Sequence, residues 1–189
     1  MRQPVRHFVR ICAETLPVVG PVYEFGALQV TGSPSENLRP LFKEHDYVGA
    51  DMREGKGVDK VLDLHAIDLE SESVGCVICV DTLEHVEYPR RAIDEMHRIL
   101  KPEGFVVISS VFEFPIHDHP NDFWRFTPEG FKSLLNPFAT SFVGSFGREP
   151  ENPQTVVGVG FKQEVSLPER FFEDYANWEK WYTALIKEA

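Results

Sequence analysis

Four short apolar segments in the first half of the chain each end at an acidic side chain. The segments and their acids are residues 21–25 with Glu24, 47–50 with Asp51, 60–62 with Asp63 and 76–80 with Asp81. Short continuous apolar runs are typical of buried parallel strands, whose carboxyl ends lie along one edge of a sheet. Several carboxylates at one edge are unfavourable unless they face a polar ligand. The pattern therefore predicts a parallel sheet with a ligand site at that edge.

The first of these segments leads into a glycine turn, Tyr23-Glu24-Phe25-Gly26. An acid followed by glycine at the end of a strand is typical of a turn that binds a ligand, because glycine lets the backbone bend or approach closely. An ordinary turn after a strand has the same appearance. The three later acids favour the ligand-binding interpretation, since they make Glu24 the first of an ordered set.

The charge balance indicates the kind of partner. The chain of 189 residues carries 19 Lys and Arg against 30 Asp and Glu, a formal net charge of −11. Nucleic acids and anionic membranes require a basic surface, so we expect neither as a partner and instead expect a small-molecule ligand. No apolar run approaches the roughly 20 residues of a membrane span, and residues 1–10 are too polar for a signal peptide.

The three cysteines predict no disulfide framework. Cys76 and Cys79 have C-x-x-C spacing but lie within an apolar run, and residues three apart in a strand face opposite sides of the sheet. We therefore interpret them as buried thiols rather than a redox or zinc pair. A reducing, cytoplasmic location fits this usage.

The remaining patterns predict one domain, with an N-terminal helix in residues 1–17, a core sheet domain in 18–162 and a C-terminal helix in 163–189. The elements expected inside these bounds are helices over 5–16, 36–44, 89–100 and 128–135, a fifth strand over 105–111, a hairpin of strands over 140–146 and 155–161, and a final helix that opens at Ser166-x-x-Glu169.

An aromatic stripe runs along the predicted final helix. Its members are Phe171, Tyr175, Trp178, Tyr182 and Leu185. Packing on the body of the domain is the first interpretation, and the seam of a homodimer is the second.

The ordered motifs resemble a known family. They are Tyr23-Glu24-Phe25-Gly26, Tyr47-Val48-Gly49-Ala50-Asp51, Asp63, Asp81-Thr82-Leu83-Glu84-His85-Val86 and Arg98-Ile99-Leu100-Lys101-Pro102-Glu103-Gly104. Between Val19 and Leu135 the chain resembles the small type 11 group of class I S-adenosylmethionine-dependent methyltransferases. The resemblance implies an α/β, Rossmann-like fold with a seven-stranded, mostly parallel sheet. Its strand order would be 3-2-1-4-5-7-6, with the last strand antiparallel and helices on both faces.

The resemblance also implies S-adenosyl-L-methionine as cofactor and a role for each motif. Glu24 would lie near the methionine part, and the backbone of Gly26 and Ala27 would approach its carboxypropyl group. Asp81 and Thr82 would border the sulfonium centre.

The adenosine part of the cofactor would meet the second and third strand ends. Asp51 would accept hydrogen bonds from both ribose hydroxyls, which suits an acceptor-only carboxylate. Met52 would pack on the adenine, Asp63 would meet its amino group, and Leu64 would donate from its backbone.

The glycine turn departs from the family pattern of three alternating glycines. This chain has Gly26, Leu28 and Val30 at those positions, so two glycines are missing. A displaced loop, consistent with the long segment 31–35, would keep the cofactor site open. The alternative is a methyltransferase-like domain that does not catalyse and serves as a binding or assembly subunit.

Three histidines are candidate bases for methyl transfer to a hydroxyl, namely His85, His117 and His119. A structural role for His85 and loop hydrogen bonding for the other two are the alternatives. His117-Asp118-His119 also suits a metal, as in a metal-dependent hydrolase, but no fourth ligand is placed by spacing, so we expect none.

Residues 121–127 form a loop that is unusually rich in aromatic side chains. Asp122, Trp124 and Arg125 are candidate substrate ligands, since aromatic rings with polar neighbours suit a sugar or planar ring. Capping of the core is the alternative. The run from His117 to Pro128 resembles an element of methyltransferases that accompany glycan-assembly enzymes, which implies O-methylation of a sugar-like acceptor.

Overall fold

A central sheet organises the protein, for which a computed structural model describes residues 2–117 and 121–188. Within these residues the sheet has seven strands: β1 Val22–Phe25, β2 Tyr47–Asp51, β3 Lys60–Val61, β4 Val74–Val80, β5 Leu100–Val111, β6 Thr140–Glu149 and β7 Asn152–Phe161. Their spatial order is β3-β2-β1-β4-β5-β7-β6. Neighbours from β3 to β5 are parallel, whereas β7 runs antiparallel to β5 and β6. The predicted fold class is confirmed.

Helices cover both faces of this sheet. They are α1 Gln3–Thr15, α2 Pro89–Ile99, α3 Pro128–Leu134 and α4 Glu169–Glu188. Buried side chains of α2 and α3 join one core cluster, and those of α1 and α4 join the other. Among the described residues, no helix is long and apolar enough to cross a membrane.

Strand β4 lies at the centre of the sheet and is buried along its whole length. It pairs with β1 on one side and β5 on the other, so both of its faces carry apolar side chains. Cys76 belongs to the core cluster of α1, and Cys79 belongs to that of α2. The two thiols therefore face opposite sides as predicted, and burial raises the pKa of each.

Two predicted boundaries were wrong. The expected helix over 36–44 is replaced by two short 3-10 turns, Pro34–Glu36 and Arg39–Phe42. Pro40 lies within the second turn, where it has no amide hydrogen for a helical bond. Strand β5 begins at Leu100 rather than at residue 105, because Leu100 already pairs with Val74 before the register shifts.

The hairpin and the terminal helices also differ from expectation in extent. Strand β6 extends to Glu149 and strand β7 already begins at Asn152, so both are longer than predicted. The extra length arises because irregular pairing around Gly147 continues the ladder. Helix α1 runs over Gln3–Thr15 and α4 begins at Glu169.

The aromatic stripe of α4 packs on the domain, as its first interpretation predicted. Phe171 and Trp178 are buried in the core cluster of α1. The indole nitrogen of Trp178 donates to the carbonyl oxygen of Pro4 at 2.9 Å. Leu185 remains 45% exposed, and the homodimer through this helix stays a prediction.

Replacing Trp178 with alanine should therefore destabilise the fold strongly. The side chain is 1% exposed, and its loss leaves a cavity and removes the bond to Pro4. We expect the free energy of unfolding in urea to fall by about 3–5 kcal/mol. Trp181→Ala on the same helix, at a side chain 55% exposed, should cost about 1 kcal/mol or less. Equal losses in the two variants would contradict this account.

Candidate functional site

A cavity of about 620 Å³ opens at the carboxyl edge of the parallel strands. This volume lies in the range of small-molecule sites. Its lining includes most of the predicted site residues: Glu24, Gly26, Asp51, Met52, Asp63, Leu64, Asp81, Thr82, His85 and His117. Ala27 is buried beside the lining at 3% exposure. His119 lies outside the described residues.

The glycine turn after β1 passes close to the end of β4. Gly26 has a φ of +86°, and a Cβ at this position would lie 2.1 Å from Thr82 Oγ1. The amides of Gly26 and Ala27 both donate to the carbonyl of Ala50, at 2.9 and 3.0 Å. Glycine is therefore required here both by backbone conformation and by space.

Leu28 packs towards the loop between β2 and β3. A Cβ on Gly55 would lie 2.3 Å from its Cδ1 atom, so the side chain uses the space that this glycine leaves. The next amide, of Gln29, donates to the carbonyl of Lys56 at 2.9 Å. The chain is thus fastened to the loop between β2 and β3 at the position where the family pattern has a glycine, and Leu28 forms part of the cavity wall.

Glu36 holds the segment that follows, and its role was missed by the sequence reasoning. Its carboxylate accepts from the amides of Thr31 at 3.2 Å and Gly32 at 3.0 Å, and from the Thr31 hydroxyl at 2.8 Å. Burial favours the neutral form, but these bonds outweigh it and lower the pKa of Glu36.

The ends of β2 and β3 place two carboxylates on the cavity wall. Asp51 accepts from the amide of Arg53 at 3.0 Å, and Met52 beside it is 60% exposed. Asp63 accepts from the amide of His65 at 2.8 Å and lies 2.9 Å from its ring Nδ1. The hydrogen bond from the His65 amide lowers the pKa of Asp63, so this side chain is an ionised hydrogen-bond acceptor.

Glu24 has a different environment at the floor of the cavity. Its side chain is buried, and the Tyr47 hydroxyl donates to it. Burial outweighs this bond and raises the pKa of Glu24 to about 7. Glu24 is therefore a carboxyl group that a bound cation would readily ionise.

Arg2 neutralises the carboxylate at the end of β4. Its guanidinium donates to both oxygens of Asp81, at 2.7 and 3.2 Å, and also to Thr155. Burial alone would raise the pKa of Asp81, but the charge of Arg2 outweighs it and the pKa lies below the usual value. Asp81 has a φ of +47° and is also bound by the Ser109 hydroxyl at 3.1 Å.

Glu84 is a buried carboxyl group that the sequence reasoning left without a role. It lies in the 3-10 turn Leu83–His85, and the Ser110 hydroxyl donates to its Oε2 at 2.7 Å. Burial and the charge of Asp81 raise the pKa of Glu84 to about 8. The available signal was the pair of hydroxyls, Ser109 and Ser110, within the otherwise apolar β5.

Two histidine rings meet beside Glu84. The ring centroids of His85 and His117 are 4.7 Å apart and nearly perpendicular. His85 Nδ1 hydrogen-bonds to the carbonyl of Asn121. His117 Nδ1 lies 3.1 Å from the carbonyl of Pro115 and 3.1 Å from a carboxylate oxygen of Asp122.

The predicted substrate ligands shape the loop outside the cavity lining. Arg125 donates to both oxygens of Asp122, at 2.5 and 2.7 Å, and this pairing lowers the pKa of Asp122. Trp124 Nε1 donates to the carbonyl of Val86 at 3.0 Å. The aromatic side chain of this loop that reaches the lining is Phe123.

The raised pKa of Glu24 predicts a pH-dependent stability. Between about pH 4.5 and 7 the unfolded chain is ionised at this residue while the folded chain retains the proton, so stability falls as pH rises. Glu24→Gln should therefore gain about 1–3 kcal/mol in unfolding free energy relative to the wild type between pH 5 and pH 8. Urea unfolding at both pH values measures this.

Glu36→Gln is the matched control, because the pKa of Glu36 is lowered rather than raised. Its ionised form contributes stability above about pH 4.5, so this variant should be destabilised at pH 8. A pH-independent difference between Glu24→Gln and the wild type would contradict the assignment.

Comparisons with known proteins agree with this geometry. Residues 30–108, from just after the glycine turn into β5, match the family model described as a methyltransferase domain. No curated protein sequence matches the chain.

Solved structures with the same fold include three bacterial proteins. The 1,6-didemethyltoxoflavin-N1-methyltransferase of Burkholderia thailandensis has a TM-score of 0.62 and 14% identity, over 86% of this chain and 78% of that one. A possible histamine N-methyltransferase of Thermotoga maritima has a TM-score of 0.60 and 20% identity, over 84% of this chain and 92% of that one. YcgJ of Bacillus subtilis has a TM-score of 0.61 and 12% identity, over 87% of this chain and 100% of that one.

The match to the citrinin polyketide synthase CMeT domain covers 46% of that longer chain. At these low identities the structural similarities establish the fold. Three observations point beyond the fold to the same family, namely the order of the motifs, the cavity at the carboxyl edge and the match to the family model. On these grounds residues 30–108 are similar to the methyltransferase domain family, and the fold of the chain is that of S-adenosylmethionine-dependent methyltransferases.

Proposed function

We propose that the protein transfers a methyl group from S-adenosyl-L-methionine to a hydroxyl oxygen of a small, sugar-like acceptor. The observation that carries this proposal is the continuity of the cavity. It extends from Asp51 and Asp63 past Asp81 to two histidines and two phenylalanine rings. One cavity thus provides both a cofactor end and an acceptor end.

The residues of the cofactor end fit S-adenosylmethionine. Asp51 presents acceptor oxygens that suit paired ribose hydroxyls, and Met52 lies beside it on the same wall. Glu24 is buried and has a pKa raised to about 7, so it suits a cationic group of the methionine part. Gly26 and Ala27 form the turn that approaches this part. When bound, the cofactor supplies an electrophilic methyl group on a sulfonium.

The predicted contacts of Asp63, Leu64, Asp81 and Thr82 remain part of this proposal. Asp63 is held ionised by His65 and faces the cavity, and Leu64 follows it on the lining. Asp81 and Thr82 lie where β4 ends, between the two halves of the cavity. The Arg2 partner of Asp81 keeps this carboxylate ionised beside the reacting centre.

At the acceptor end, rings and polar groups surround the same space. Phe114 and Phe123 offer flat apolar faces that suit a sugar or planar ring, and Asn121 offers an amide. The hydrogen bonds of Asp122, Trp124 and Arg125 hold the shape of the loop, so these side chains would affect acceptor binding indirectly. The proton of the acceptor hydroxyl passes to the cluster of Glu84, His85 and His117.

Two observations support a small-molecule acceptor. Two structural neighbours are a 1,6-didemethyltoxoflavin-N1-methyltransferase and a possible histamine N-methyltransferase, and both of these acceptors are small molecules. The net charge of −11 is unsuited to a nucleic acid. The packing of Leu28 against Gly55, on the wall of a cavity of about 620 Å³, supports cofactor access and so favours an enzyme over a non-catalytic assembly subunit.

Asp51→Ala should weaken cofactor binding by about 1–3 kcal/mol, because charge-assisted hydrogen bonds to the ribose are lost. Isothermal titration with S-adenosylmethionine measures the effect. Asp46→Ala is the matched control, since this exposed acid precedes β2 at the opposite edge of the sheet. Unchanged affinity in Asp51→Ala would show that the ribose assignment is wrong.

His117→Ala should lower turnover by about 10²–10⁴-fold while cofactor affinity is retained, because proton removal is lost. The assay is transfer of the radiolabelled methyl group to a panel of sugars and other hydroxylated small molecules. Full activity in this variant would remove His117 from the reaction. Methylation of amines but of no hydroxyl would overturn the proposed acceptor class.

A further inference from the structure

We propose that Glu84, His85 and His117 form a binding site for one divalent transition-metal ion of the zinc type at the acceptor end of the cavity. One donor atom from each of these side chains lies within 4.8 Å of the other two. The three residues also line the cavity. The site does not depend on the identity of the acceptor, so it can be tested separately from the proposed function.

The donor set indicates the class of metal. Two imidazoles and one carboxylate form the ligand set of catalytic zinc sites, which keep a further position open for water or substrate. Magnesium and calcium prefer oxygen ligands only. Mixed nitrogen and oxygen donors therefore favour zinc and its first-row neighbours.

Hydrogen bonds orient both imidazole rings for ligation. A metal-bound histidine usually donates its other ring N–H to a carbonyl or carboxylate, which fixes the tautomer. His85 Nδ1 bonds to the carbonyl of Asn121, and His117 Nδ1 lies 3.1 Å from that of Pro115. In this tautomer Nε2 of each ring carries the lone pair that a metal uses.

Glu84 supplies an independent observation. The side chain is 1% exposed, and Ser110 binds its Oε2 atom. Across residues 2–117 and 121–188, its Oε1 atom has no hydrogen-bond partner. A buried carboxylate oxygen without a partner is costly, and a metal ion provides the missing interaction.

The scaffold holds these ligands in place by its own bonds. The amides of Phe123 and Trp124 both donate to the carbonyl of Glu84, at 2.8 and 3.2 Å, which fastens the aromatic loop to the 3-10 turn. Asp122 accepts from the amide of His117 at 2.9 Å and so fixes the third ligand to the same loop. Ligands held in this way form a preorganised site.

This set differs from the sequence-based expectation of no metal, which considered only the run His117-Asp118-His119. Glu84 and His85 come from a distant turn that folding places against the loop. An ion held here would leave positions open towards the cavity. With His85 and His117 as its ligands it would take the place of these side chains as bases, by lowering the pKa of an acceptor hydroxyl so that the proton is released to water.

The test is cobalt binding by the full chain after treatment with a chelator, without S-adenosylmethionine. Titration with CoCl₂ should produce visible ligand-field absorption that saturates at one ion per chain, and ZnCl₂ should displace the cobalt. Glu84→Gln and His117→Ala should each weaken cobalt binding by at least about tenfold, and Ser110→Ala should weaken it less. His45→Ala, which removes a histidine before the amino end of β2, should bind as the wild type does.

Thermal unfolding of each variant shows whether it is folded, and zinc should raise the midpoint of the wild type but not of Glu84→Gln. Absence of the cobalt bands in the wild type would overturn the site, as would unchanged bands in both ligand variants. If the chelated protein binds no cobalt yet methylates hydroxyls at an unchanged rate, the metal site falls and the proposed function stands. If cobalt binds but no hydroxyl is methylated, the site stands and the acceptor proposal falls.

Discussion

The buried strand β4 is the constraint on which the rest of the structure depends. Its hydrogen bonds to β1 and β5 align Cys79 with Phe25 and with Ile108, so three strands end at the same edge. Asp81 consequently accepts a hydrogen bond from the Ser109 hydroxyl, and Glu24 and Asp81 line the same cavity, without any direct signal in their sequence spacing. Because apolar side chains cover both faces of β4, this alignment is maintained by both cores.

Alignment of strand ends concentrates negative charge, and the protein stabilises each carboxyl group differently. Arg2 neutralises Asp81, backbone amides bind Asp63 and Glu36, and Glu24 is held near its neutral form by burial. Glu84 alone among the buried side chains described has an oxygen without a partner. Each arrangement suits a different ligand group: hydroxyls at an ionised acceptor, a cation at Glu24, and a metal ion at Glu84.

The proposed reaction and the proposed metal site share one geometric origin. The 3-10 turn after β4 carries Glu84 and His85, and the segment after β5 carries His117, whose amide donates to Asp122 of the aromatic loop. Bonds between the turn and the loop keep both next to the cofactor end of the cavity. In the proposed reaction, acceptor binding and proton removal would therefore depend on the packing of that loop, whose shape is held by the pairing of Asp122 with Arg125.

The sequence by itself determined where the strands lie and which acids end the first four of them, because apolar periodicity and strand termini are local properties, whereas the strand order was implied by the family resemblance. It also indicated the glycine turn and the departure at Leu28. Only the tertiary structure decided where Leu28 points, since Gly55 lies on a different loop. The roles of Arg2 and Glu84 likewise depend on contacts with Asp81 and Ser110, which lie far from them in the chain. Such long-range pairings depend on how helices and loops pack over the sheet, and no local pattern encodes them.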